Sequence, residues 1–138
     1  SMATRASMRG NRAIGTKPEG VLVQALTELG ISGFAQNAGD LPGSPDIAFE
    51  PQRLAVFVHG CFWHRCPYCS PHMPDSNPVY WVAKFARNKL RDARARTELR
   101  RLGWRPLVVW ECKMNEDPRR VAANAQRAAG SAARQPPL

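Results

Sequence analysis

Leu54-Ala55-Val56-Phe57-Val58-His59-Gly60-Cys61-Phe62-Trp63-His64 (residues 54–64) is the stretch that organises this chain. Leu54 to Val58 is apolar at every position, without the alternation of a half-exposed strand. That pattern belongs to a strand buried on both faces. Ahead of it, Pro51-Gln52-Arg53 supplies a turn and Asp46-Ile47-Ala48-Phe49 a shorter strand, so the two pair as an antiparallel hairpin. Behind it the composition changes at once. Residues 59 to 78 hold all three histidines and three of the four cysteines among many prolines, too irregular for one long element.

Working outward, residues 36 to 45 are rich in turn formers and end in Pro42-Gly43-Ser44-Pro45. Upstream, Val21, Leu22, Ala25, Leu26 and Leu29 keep helical spacing, and Gly30 ends the run. Thr16 is a candidate N-cap, with Pro18 in the first turn and Glu19 at the third position of a capping box. Downstream, Pro78 to Arg101 reads as a long helix with Val82, Phe85, Ala86, Leu90, Ala93 and Leu99 as its apolar positions. Gly103 stops it. Arg105 to Trp110 is a third strand, closed by Glu111-Cys112, and an alanine- and arginine-rich helix starts at Asp117. The expected organisation is a flexible arm over 1–15, one domain over 16–130 and a disordered tail over 131–138. Ser1-Met2 reads as a cloning remnant.

A length of 138 residues suits one domain with its own core. Twenty Lys and Arg against 11 acids give a net charge of +9 and a pI near 10.3, which speaks about partners rather than fold. Nucleic acid is one such partner; a merely basic, soluble protein is the other reading. Lys and Arg recur from Lys84 to Arg105 with only Asp92 and Glu98 as acids, either a solvated helix face or a phosphate-binding one. No apolar run approaches the ~20 residues of a membrane span, and the N-terminus has no apolar signal segment. The expectation is an intracellular protein, cytoplasmic and nucleoid-associated, without a membrane partner. In that compartment cysteines serve as metal ligands or free thiols rather than disulfides.

Cys61, Cys66 and Cys69 lie close together, and Cys112 follows after a helix and a strand. Four such thiols can make a closed, structural Zn²⁺ site, with His72 a competitor for one place; buried free thiols are the alternative. Asp46 enters a strand just behind a turn, where a carboxylate can hold Mg²⁺ or simply cap the turn. His59 and His64 either move protons or complete the metal site. Phe62 and Trp63, with Trp81 near them, either pack on the cysteine loop or stay exposed to wedge between base pairs.

Together "LPGSPDIAF", "VFVHGCFWH", "YWVAKFARNKLRDAR" and "LGWRPLVVWEC" resemble the very short patch repair endonucleases, from about Met8 to Cys112. The resemblance implies a restriction-endonuclease-like α/β core, a small mixed sheet flanked by helices, with a structural zinc site. It implies Mg²⁺-dependent nicking of one DNA strand beside a T:G mismatch, by a monomer acting on double-stranded DNA. By position, Asp46 is the metal-binding catalytic carboxylate, and Val58 offers its backbone carbonyl to Mg²⁺. His59 and His64 match the catalytic pair, and Glu19 a further active-site acid. Phe62, Trp63 and Trp81 match aromatics that enter the duplex, Met8 a residue that pushes in from the other groove, and Lys84 and Asn88 residues near the mispaired bases. Cys61, Cys66 and Cys112 match zinc ligands, and the shortened run Arg65-Cys66-Pro67-Tyr68-Cys69 leaves Cys69 as the fourth. Val58 replaces a threonine of the family's best-known form. The rivals are a restriction or defence nuclease cutting matched or modified DNA, a non-catalytic zinc-containing DNA-binding module, and a structural zinc protein with no DNA role.

Overall fold

A computed structural model describes residues 17–134. The elements run α1 (Pro18–Glu28), β1 (Ala35–Gln36), β2 (Ile47–Phe49), β3 (Leu54–His59), α2 (Cys61–His64), α3 (Pro78–Arg101), β4 (Arg105–Trp110), α4 (Glu111–Glu116) and α5 (Pro118–Arg134). The strands form one mixed sheet in the order β1-β2-β3-β4. The β2–β3 hairpin is antiparallel, with Ile47 opposite Val56, and β3 runs parallel to β4, with His59 opposite Trp110. The sheet is flanked by helices, the mixed α/β architecture expected.

Alternation along the strands explains why β3 is apolar throughout. Leu54 and Val56, with Ile47, Phe49 and Val109, point to a core completed by Leu22 and Leu26 of α1, Met114 of α4 and Val121 and Ala122 of α5. Ala55 and Phe57, with Ala48, point the other way, to Leu99 of α3 and Trp104. A central strand covered on both sides needs no polar face. None of the described helices is long and apolar enough to cross a membrane.

Several local expectations are corrected. The cap residue of α1 is Lys17, which makes no side-chain capping bond; Thr16 lies outside the described residues, as does Met8. The two-residue edge strand β1, paired with β2, overlaps the start of the turn-rich segment. Cys61–His64 is a short helix within the segment read as too irregular for one long element, and Glu111-Cys112 opens α4 rather than closing β4. The last helix, expected from Asp117, runs from Pro118 to Arg134. The largest correction concerns α3: Val82 and Leu90 are 57% and 63% exposed, so they do not face the core. The inward stripe is Trp81, Phe85, Asn88, Asp92, Ala95 and Leu99, spaced alternately by four and three residues. Two of its members are polar, which hid it from a reading based on apolar periodicity.

Candidate active site

The turn before β2 sets the first group. Gly43 has φ +77°, and a Cβ there would lie 2.7 Å from Cβ of Ala95 and 3.0 Å from the Phe57 ring. Glycine is needed twice over, for the left-handed backbone and for the close approach of the turn to α3. The chain then enters β2 with Asp46 beside the end of β3. Oδ2 of Asp46 accepts a hydrogen bond of 2.7 Å from the Val58 amide, so the carboxylate is held at the mouth of the hairpin. Burial raises the Asp46 pKa above the usual carboxylate range; the Val58 bond opposes the rise and the charge of Glu19 adds to it. The first helix therefore brings Glu19 close enough to Asp46 to be felt. Two acids with one driven towards its protonated form make a place where a divalent cation would relieve both burial and repulsion.

His59 ends β3, and α2 turns the chain back so that His64 lies over it. The two rings stack with centroids 3.8 Å apart and 7° between their planes. The edge of Trp110 closes on His59 at 5.2 Å. Glu111 caps the short helix, with its Oε1 accepting from the Cys61 amide at 3.2 Å. Nδ1 of His64 lies 2.6 Å from Oδ2 of Asp92 on α3. A carboxylate oxygen accepts, so the tautomer that fits this contact has its proton on Nδ1 and, in the neutral ring, Nε2 free to take a proton.

His59 is 6% exposed, and its Nδ1 has no hydrogen-bond partner among the described residues. Burial, then the neighbouring His64, lowers its pKa to about 4, so it is neutral near pH 7. Ligand atoms of His59, His64 and Asp92 all lie within 4.8 Å of one another. Yet stacked parallel rings aim their lone pairs alongside each other rather than at one point. The arrangement therefore suits proton handling better than chelation. Asp46, Val58, His59, His64 and Asp92 share the wall of one cavity of about 230 Å³, with Arg91 and Arg96 at its rim.

Asp92 is the functional group that sequence reading missed, because it stood as a minor acid in a basic run. Its signal was position: it falls four residues after Asn88 and seven after Phe85, on the inward stripe.

The four thiols of Cys61, Cys66, Cys69 and Cys112 also converge, with all sulfurs within 4.8 Å of one another. The Cys66 and Cys112 sulfurs are 3.7 Å apart, far longer than a disulfide. A tetrahedron with metal–sulfur bonds of about 2.3 Å has edges of about 3.8 Å, so the spacing fits a metal ion. His72 is not a member of the group. Cys61 opens α2 and His64 ends it, so one thiol of the cluster and one histidine of the pair share a single turn of helix.

Phe62, Trp63, Trp81 and Phe85 form one aromatic group, with centroid distances of 5.1 to 5.8 Å. Phe85 is buried and Phe62 and Trp81 half-buried, but Trp63 remains 49% exposed. Packing and exposure, set against each other in the sequence, hold together here. Asn88 is 6% exposed and donates from Nδ2 to the Trp63 carbonyl at 3.1 Å, tying the backbone of that residue to α3. Lys84 is half-buried one turn from Asn88.

The family model described as DNA mismatch endonuclease Vsr matches residues 2–69. The DNA mismatch endonuclease Vsr of Escherichia coli strain K12 is 37% identical over 81% of this chain and 72% of its own length. The type II nicking enzyme V.XorIIP of Xanthomonas oryzae is 39% identical, over 79% of each chain. V.NaeI of Lentzea aerocolonigenes, also a type II nicking enzyme, is 42% identical over 80% of this chain and 69% of its own. With Asp46, the histidine pair and the thiol cluster in place, the chain belongs to the DNA mismatch endonuclease Vsr family and is a DNA endonuclease.

Proposed function

We propose that the protein nicks one strand of double-stranded DNA beside a T:G mismatch, with Mg²⁺ as catalytic ion and Zn²⁺ in the thiol cluster. The observation that carries this reading is the single cavity holding Asp46, His59 and the His64–Asp92 pair. On this reading Asp46 and the Val58 carbonyl hold Mg²⁺, which when bound supplies positive charge to the scissile phosphate. His64 accepts a proton from the attacking water at Nε2, and Asp92 stabilises the imidazolium that results. His59 stays neutral and shields that nitrogen from bulk water. Glu19 acts as a further acid beside Asp46. The fold is then a restriction-endonuclease-like core, and the protein acts inside the cell as a monomer.

Mismatch selectivity has a physical source in the same picture. Inserting Phe62, Trp63 and Trp81 into the stack costs roughly a few kcal/mol per step, less beside a wobble pair. Lys84 and Asn88 lie on the helix face nearest those rings, and Met8 would approach from the opposite groove.

The test is a nicking assay with Mg²⁺ on two duplexes that differ only in T:G against C:G. Nicking of the T strand in the mismatched duplex alone, lost in Asp46→Ala, is the expected result. Equal cutting of both duplexes would instead favour nicking of matched DNA, a reading motivated by the relatives named type II nicking enzymes.

A further inference from the structure

A second cavity, of about 550 Å³, adjoins the first at the histidine pair. It shares His59, His64, Asp92 and Arg96 with the Asp46 cavity, but opens towards Trp110 and Pro67. The two imidazoles, Asp92 and Arg96 thus line both cavities. Three cations line the second one: Arg65, Lys89 and Arg96. Its only acid, Asp92, is already bound to His64 at 2.6 Å.

Arg96 is half-buried and has no carboxylate partner among the described residues. After burial and His64, its charge helps to hold His59 neutral, against Asp92, which places the guanidinium beside the reacting groups. A partly desolvated cation without a counter-ion is costly unless an anion arrives. Arg65 is pre-organised as well. It donates to the Phe62 carbonyl at 3.3 Å and the Pro71 carbonyl at 2.5 Å, and lies 4.4 Å over the Phe85 ring. Val108, Trp110 and Pro67 add apolar surface to the same lining. Cations and apolar surface lining one cavity match the phosphate and sugar of a nucleic-acid backbone.

We propose that this cavity is a second phosphate subsite, in which Arg96 and Lys89 clamp a backbone phosphate next to the one held at Asp46. The proposal rests on the endonuclease reading and adds a residue that fixes the register of the strand. Arg96 is then a binding residue, placed to keep the scissile phosphate in line with His64.

The test uses the full chain and T:G duplexes in which one linkage at a time, on either side of the nick, is an uncharged methylphosphonate. Binding is followed by fluorescence anisotropy with Ca²⁺ in place of Mg²⁺. The wild type should lose about tenfold in affinity at one flanking linkage, the scale of a charge-assisted hydrogen bond. Arg96→Met should bind unmodified DNA about tenfold more weakly, lose nothing further at that linkage, and show a salt slope smaller by about 1. Arg96→Lys, which keeps the charge, should retain part of the sensitivity and guards against a folding defect. Equal losses for wild type and Arg96→Met at every flanking linkage would overturn the subsite. A wild type that nicks no unmodified duplex would instead overturn the nuclease reading beneath it.

Discussion

The two faces of the sheet are covered in different ways. On one, α1, α4 and α5 meet the strands mainly through apolar residues, from Leu22 and Leu26 to Met114 and Val121, with Arg105 of β4 donating to the Ala128 carbonyl of α5 as the polar exception. On the other, the single helix α3 starts its inward stripe with aromatics, continues with Asn88 and Asp92, and becomes apolar again only at Ala95 and Leu99. The first face can be optimised for packing. The second gives up burial so that a carboxylate and an amide can reach His64 and Trp63. Stability and chemistry are thereby separated onto opposite sides of β3, and substitutions on the two faces should differ in kind.

Asp46→Asn is the sharpest case. If Asp46 holds the catalytic ion as proposed, the substitution should lower single-turnover nicking by more than about 10³-fold. It should also raise the melting temperature at pH 7 by a few degrees, because the raised pKa of Asp46 means that its charge is held at a cost to folding. Leu26→Ala on the opposite face should behave inversely. It should cost about 2–5 kcal/mol in denaturant unfolding while leaving the nicking rate of the remaining folded protein within about twofold.

A smaller effect comes from His59. Its pKa is about 4 in the folded protein, against an ordinary value of 6.5. Between those values the unfolded chain binds more protons, so stability should fall as pH drops from 6.5 towards 4, by roughly 2–3 kcal/mol at most. Unfolding curves of His59→Asn should show a shallower decline across that window; an unchanged slope would place the lost proton elsewhere. Smallest is Glu111→Gln, which keeps an acceptor for the Cys61 amide and should change stability by less than about 1 kcal/mol, whereas Glu111→Ala leaves that helix end uncapped.

Much of this was legible in the sequence, for identifiable reasons. The hairpin followed from the wholly apolar Leu54–Val58, and α3 ended at Arg101 as the composition indicated. The convergence of four cysteines followed from spacing and chemistry. What escaped detection was set by tertiary contacts. Asp92 and Arg96 look like any other charges on a basic helix until the strand opposite is known to end in His59. Val82 and Leu90 looked like core because apolar spacing carries no information on which of two stripes is buried. The helix Cys61–His64 is only one turn long, held by Glu111 from a distant part of the chain, and no local propensity announces it.

The most direct measurement of the division between faces is a double-mutant cycle on single-turnover nicking with Asp92→Asn, His64→Ala and the pair combined. If α3 completes the site by holding the His64 proton on Nδ1, the double variant should be no slower than His64→Ala alone. If the two losses multiply, Asp92 acts independently of His64, and the proton-handling pair described above does not exist.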